Sequence, residues 1–426
     1  MPSDRPQQGR AGGERRRLPF LRWGPLLLVL ALLALIGWLA LRGDEQPAAA
    51  AAVASAGGQP QGPQFFGQVE GRPVQADPGE RARKRQQLVD NYALTDHTYC
   101  SYREGSIYPA GSRPMAQNPD QVYPNRPVLE TNPMRGDDRR GNPNILLQTS
   151  QSRVYLAAGE SVVFALRAVE PNGNVVPLVV TRAIAAGIVN TGQRPTTQVP
   201  LAFADDGAGA DAVAGDGAFS GVLTPGQTGL AGFHGTIRTE VRFTAGGKNG
   251  SLIFDVIHSP RAPAVWAGAP REALEDGSLA FILRADVRQP GRYVVTGRVD
   301  DAKGRPFALA TFNEVLGPGP NDIKLIVFGK LLIDGAPALP LTLRDVDAYL
   351  LKENTDPDRE LMPRLEGPVL TSRTQSLRGV SDAEYNSEER ERYLTEFAKD
   401  RKNAAAALAK FDPAQPLPPS ACGPVK

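Results

Sequence analysis

The chain has 426 residues, enough for two or three domains of about 100 to 200 residues each, and its 48 Lys plus Arg against 46 Asp plus Glu leave a net charge of +2, too small for a field that would hold nucleic acid. With 3 His and 2 Cys, zinc fingers, iron–sulfur clusters and His-rich metal centres lack ligands. The 44 Gly and 38 Pro interrupt the chain too often for a helical protein, so a mainly β fold of many short strands is expected.

In chain order, the first strong signal is the run from Pro25 to Leu41, PLLLVLALLALIGWLAL, which carries no charge. At 1.5 Å per residue it covers about 25 Å of a hydrocarbon core roughly 30 Å thick, so Leu18 to Trp23 must contribute. Trp23 and Trp38 lie near its ends, at the depth that amphipathic rings favour. Arg5, Arg10, Arg15, Arg16, Arg17 and Arg22 precede it against Asp4 and Glu14, whereas Arg42, Asp44 and Glu45 follow. This asymmetry predicts a cytoplasmic segment 1–24, a single inner-membrane helix 25–41, and export of the remainder to the periplasm. The membrane is thus one expected partner, through Pro25 to Leu41. The rival is a cleaved signal peptide: Ala54-Ser55-Ala56 has the small-residue pattern of a cleavage site but lies well beyond the apolar run.

Residues 42–79, with AAAAAVASAGGQPQGPQ, read as a flexible spacer. Within 80–143 a short helix is expected over 80–99, its cluster Arg81, Arg83, Lys84 and Arg85 forming a solvated face. The Pro- and Asn-rich stretch from Tyr102 to Pro143 then lies as irregular chain across a neighbouring domain.

From Asn144 the pattern changes to short β-type runs. Val162, Phe164 and Leu166 share one face by period-two alternation, and further strands are expected at 198–203, 218–223, 235–243 and 252–257. Together these form a first β-sandwich over 144–260, with a boundary at Pro260 to Pro263. A second sandwich over 261–352 takes strands at 279–287, 293–299, 307–315, 323–328, 330–333 and 341–351, with a hairpin turn at Asp300 to Gly304. In the C-terminal region 353–426 a helix is expected over 382–411. Ser381-Asp382-Ala383-Glu384 has the form of its capping box, Asp412-Pro413 stops it, and docking on the chain's own sandwiches is expected, with a partner-binding helix as the alternative.

Catalytic signatures are sparse. No GxSxG elbow, HExxH helix or P-loop occurs, and His97, His234 and His258 read as solvated or satisfied side chains. A non-enzymatic role is expected. An enzyme would instead show as a concave site gathering Asp, Glu and His from separate strands. The densest local signal is Asp205, Asp206, Asp211 and Asp216 among glycines. Two readings stand: oxygen ligands for calcium, or an inter-strand turn in which the carboxylates bond backbone N–H groups. No other cofactor is indicated. Cys100 and Cys422 both follow the anchor, in an oxidising compartment, and are expected to form an intramolecular disulfide; an intermolecular bond and two free thiols are the alternatives.

The segment DDGAGADAVAGDGAFSG closely resembles a D-D/N-G-x-G-x-D-x(4)-D-G-x-F/Y-S turn of exported fibronectin-like and immunoglobulin-like sandwiches. These include bacterial proteins of the "choice-of-anchor X" domain type and the sandwich domain of calcium-activated chloride channel regulators. RADVRQPGRYVVTGRVDDAKGRPFALATFN with LIVFGKLL is similar to the companion sandwich of the bacterial group. The resemblance covers about 144–351 and implies immunoglobulin-like folds and export, with no reaction attached; Phe219 stands where Tyr is more usual. The expected function is a membrane-anchored envelope protein whose immunoglobulin-like domains bind or scaffold an unknown protein or envelope partner in the periplasm. A secreted adhesion module after cleavage and an envelope enzyme are the alternatives.

Overall fold

A computed structural model describes residues 78–136, 141–189 and 194–422. The expected cytoplasmic segment 1–24, the spanning segment 25–41 and the spacer up to residue 77 lie outside these residues, while Pro78 and Gly79, expected in the spacer, are helical; no helix among the described residues is long and apolar enough to cross a membrane. The described chain opens with helix α1, Pro78–Gly105, and strand β1, Ser112–Pro114. The first sandwich then takes β2 Val128–Arg135, β3 Gly141–Gln151, β4 Tyr155–Leu156, β5 Val162–Val169, β6 Val175–Val176 and β7 Leu178–Gly187. It is completed by β8 Val199–Pro200, β9 Phe219–Leu223, β10 Gly235–Ala245 and β11 Lys248–His258. The second sandwich follows with β12 Ala264–Glu275, β13 Ser278–Val287, β14 Gly291–Asp300, β15 Pro306–Leu316 and β16 Gly319–Val327. Helix α2, Gly329–Gly335, leads into β17 Thr342–Leu351, β18 Arg359–Leu361 and β19 Leu365–Thr371, and helix α3, Glu388–Phe411, comes last.

In the first sandwich a sheet ordered β2-β3-β5-β6, with β9 also on β5, faces one ordered β4-β11-β10-β7-β8. The alternation that predicts this packing is plain in β10, where Ile237, Val241 and Phe243 are buried between exposed Arg238, Glu240 and Arg242. Val162, Phe164 and Leu166 meet Phe254 and Val256 across the layer, with the Phe164 and Phe254 rings stacked at 4.6 Å. In the second sandwich β12-β13-β16 covers β1-β15-β14-β17-β18, with β19 also on β17. Phe281, Leu283 and Leu325 pack there on Val295, Val299 and Leu343. The buried Tyr293 donates its hydroxyl to the carbonyls of Gln289, at 2.7 Å, and Pro263, and burial pushes that hydroxyl up to about 12.

Several expectations are corrected. Helix α1 runs past 99 to Gly105, because the chain meets no proline until Pro109. The stretch 102–143 is not wholly irregular: β1 pairs with β15, and β2 pairs with β3, so the first sandwich begins at Val128 rather than 144. As an edge strand β2 tolerates Pro133, where its register shifts. The second sandwich extends beyond 352 to include β18 and β19. Residues 330–333 are helical, not a strand; the adjacent Leu331 and Leu332 are both buried, which a one-sided strand cannot achieve. Of 198–203 only Val199–Pro200 is strand.

Helix α3 starts at Glu388, not 382. Its N-cap is Ser387, whose hydroxyl accepts from the Arg390 backbone N–H at 3.1 Å. Ser381 instead donates its backbone N–H to the Gly277 carbonyl at 2.9 Å, which draws that segment out as a strap on the second sandwich. The helix also packs on α1 rather than on a sandwich, through buried Tyr92, Ala404 and Leu408. Tyr102 sets its ring edge-on to Tyr393 and Phe397 across the same pair.

Candidate functional site

The Asp/Gly turn joins the strand bridge at Ala204 to β9. The Asp205 carboxylate accepts from the backbone N–H groups of Gly215, at 2.7 Å, Asp216, at 3.2 Å, and Gly217, at 2.9 Å. Asp206 accepts from Ala208 and Asp216 from Ala218, and the buried Asp211 accepts from Gly207. Gly207, Gly209, Gly215 and Gly217 all have positive φ, which lets the chain fold back on these carboxylates. Asp205, Asp211 and Asp216 each bring one oxygen within 4.8 Å of the others, a set that could hold a hard cation. Asp206 stands outside that set.

Cys100 and Cys422 are joined in a disulfide with Cα atoms 4.9 Å apart. Asp96 lies beside them, but bonded sulfurs are not thiolate ligands, so this group holds no metal. The carboxylate of Asp96, 2% exposed, instead accepts from the Ser420 hydroxyl at 2.8 Å and from the Ala421 backbone, and it pairs with Arg401. His258 ends β11 with Nδ1 2.7 Å from the Phe233 carbonyl. Burial holds its imidazole below the usual range. The Ser101 hydroxyl lies 3.4 Å from His97 on the exposed side of α1, with no third group orienting the ring.

A cleft of about 480 Å³ lies where the two sandwiches meet, within the range of about 300–1,000 Å³ typical of ligand sites. Three stretches build its walls: 120–124 ahead of β2, the β4–β5 connection with Tyr155 and Glu160, and β14, β17 and β18 of the second sandwich. Its base is a charge network. Arg298, 5% exposed, forks onto Asp300 at 3.0 and 3.1 Å and donates to the Val122 carbonyl. Arg344 bonds Asp345 at 2.9 Å and Asp300 at 3.3 Å. Asp345 sits at φ 49, where β17 shifts register against β19. This bulge aims its other oxygen at the Gly367 N–H, 2.8 Å away.

On the walls, the Arg359 guanidinium lies 4.9 Å from the Tyr155 ring and 4.7 Å from the Tyr349 ring, a cation–π bridge between the sandwiches. It forks onto Asp358. Glu160 accepts from the Ala157 N–H at 2.8 Å and from Arg153 at 3.1 Å, and Arg153 reaches Glu366 at 2.6 Å. Arg364 pairs with one oxygen of Asp347. Burial pushes the Asp347 carboxyl above the usual range; Arg364 opposes this, and the charges of Glu160 and Asp345 reinforce it.

Apart from Asp300, read as the start of a hairpin turn, none of these cleft residues is singled out in the sequence. The available signal is Arg344, Asp345 and Asp347 in the middle of an otherwise alternating strand, where charges need a reason. The concave site does gather Asp and Glu from separate elements, but no His lines it.

No protein-family model matches the chain, and no curated protein matches it. Among solved structures, a DUF4785 family protein from Legionella pneumophila is similar at 14% identity and TM-score 0.35, the match covering 53% of this chain and 57% of that one. Fibronectin(III)-like modules of Clostridium thermocellum CbhA match at 11% identity and TM-score 0.20, over 51% of this chain and 90% of theirs. The Yersinia pseudotuberculosis adhesin InvE matches at 14% identity and TM-score 0.15, over 51% of this chain and 58% of its own. TM-scores this low bring neither fold nor activity to the chain, whose sandwiches are read from its own sheets. None of the three carries the choice-of-anchor X description.

Proposed function

We propose that the chain is an exported, inner-membrane-tethered protein whose two immunoglobulin-like sandwiches, the first of the choice-of-anchor X type, bind or scaffold a partner in the periplasm without catalysing a reaction. One observation carries the binding reading. The cleft between the sandwiches has its arginines held by carboxylates, Arg298 by Asp300, Arg344 by Asp345, Arg364 by Asp347 and Arg359 by Asp358. Groups locked in this way are preorganised for holding a ligand. Export is supported by the charge asymmetry around Pro25 to Leu41 and by the Cys100–Cys422 bond, which persists in an oxidising compartment. The Asp205 turn is read as structural, since its carboxylates are spent on backbone N–H groups.

The test is a pair of reporters fused after Lys426, one active only outside the cytoplasm and one only inside. Activity of the external reporter alone is expected; activity of the internal one alone overturns the orientation.

A second reading, an envelope enzyme, is favoured by Asp347, whose raised pKa in a cleft beside Glu160 is the property of a general acid. Chemical alteration of a cleft ligand, lost in Asp347→Asn, would establish it.

A further inference from the structure

We propose that the inter-sandwich cleft binds a neutral, hydroxyl-rich ligand, a short oligosaccharide. This rests on the binding reading above and names the ligand class for that site. The charge balance comes first. Each arginine at the base and walls already has its carboxylate, so an anion would enter a partly desolvated space with no free cation to receive it, and a cation would find, as the one lining carboxylate without an arginine, only the exposed and solvated Asp120; either charge is costly there. A neutral ligand avoids that cost.

The remaining valences then select its chemistry. Among the described residues the hydroxyls of Tyr155, Tyr349 and Thr296 make no hydrogen bond, and all three residues line the cleft half-buried. Asp347 uses one carboxylate oxygen on Arg364, leaving the other as an acceptor, while Arg364 keeps N–H groups beyond the one that pair uses. Donors and acceptors thus both remain available in a cleft that also offers apolar tyrosine rings. Adjacent hydroxyls on a sugar ring present that mixture, each both donating and accepting, with C–H surface for the rings. A purely apolar ligand would strand these polar groups.

The test uses the full-length chain in a detergent with no sugar headgroup. Cellotriose, maltotriose and chitotriose are titrated as neutral probes, and trilysine and triglutamate as charged ones, by saturation-transfer NMR and calorimetry. Saturable binding of at least one trisaccharide, and of neither peptide, is expected. The double variant Tyr155→Phe/Tyr349→Phe keeps both rings on Arg359 and removes only the hydroxyls, so it should weaken that binding at least about fivefold with an unchanged Tm. Asp347→Asn serves as a second, independent variant with the same expected loss. Absence of binding by all three sugars, preference for a charged peptide, or undiminished sugar binding in both variants overturns the proposal. A sugar that binds and is recovered cleaved leaves the ligand class standing and overturns only the non-catalytic reading.

Discussion

Cys100 and Cys422 stand 322 positions apart in sequence and 4.9 Å apart at their Cα atoms. The bond ties the C-terminal tail to α1, where Asp96 receives Ser420 and Ala421, so the two ends of the described chain close on each other. Non-reducing electrophoresis should show a monomer band that slows on reduction. Cys422→Ser should lower stability by up to about 5 kcal/mol, the chain-entropy ceiling for so long a loop. A doubled mass, or two alkylatable thiols in the untreated protein, contradicts the pairing.

Asp205 holds the acidic turn more firmly than Asp206. It receives three backbone N–H groups, from Gly215, Asp216 and Gly217, whereas Asp206 receives one, from Ala208. Asp205→Ala should therefore destabilise the protein by about 2 kcal/mol and Asp206→Ala by about 1 kcal/mol or less, read by denaturant titration. If calcium raises the Tm of the wild type and not of Asp205→Ala, the turn is a cation site; equal stability of both variants contradicts the account of the turn.

The pH dependence has two components of opposite sign. His258 is held below its ordinary 6.5, chiefly by burial, so the unfolded chain takes the proton more readily and stability falls as pH drops below about 6.5. Asp347 is held above its ordinary 3.8 by burial, so the folded chain takes that proton more readily. Its contribution rises as pH falls through the raised value towards 3.8. Across melting curves from pH 7.5 down to 4, His258→Gln should lose less Tm than the wild type. The gap between the wild type and Asp347→Asn should widen in the wild type's favour. Parallel curves for all three proteins would contradict both assignments.

The strap ahead of α3 depends on two glycines. A Cβ on Gly329 would press on the Gly277 carbonyl and come within 2.6 Å of the Ser381 carbonyl, and Gly277 itself has φ 69. Gly329→Ala should cost about 1–3 kcal/mol by overpacking and expose the 381–387 segment to protease. Unchanged cleavage and stability would show that the strap does not depend on this contact.

The sandwiches were legible because burial on one face writes itself as alternation: Val162, Phe164 and Leu166 are buried as their spacing predicts. The boundary near 260 was legible from its prolines. Strand β2 was not, since an edge strand with one partner needs no inward stripe, and Val128 and Leu129 are exposed. The packing of α3 on α1 was not legible either, because a few large residues on a polar helix do not say which surface they meet. The Asp/Gly turn was dense enough in sequence to find, though which carboxylate anchors it emerged only with Asp205 opposite Gly215 and Gly217. The cleft was hidden because Tyr155, Glu160, Arg298 and Asp347 come from distant strands, and the left-handed Asp345 that shapes it leaves no local pattern.

Membrane fractionation with N-terminal sequencing of the chain recovered from cells tests the central claim, export with retention on the membrane, most directly. The account predicts a membrane-bound chain whose N-terminal sequence lies ahead of Pro25, so that it retains Pro25 to Leu41. A chain that begins just after Ala56 and is released from membranes would contradict it, and would make the protein the secreted module instead.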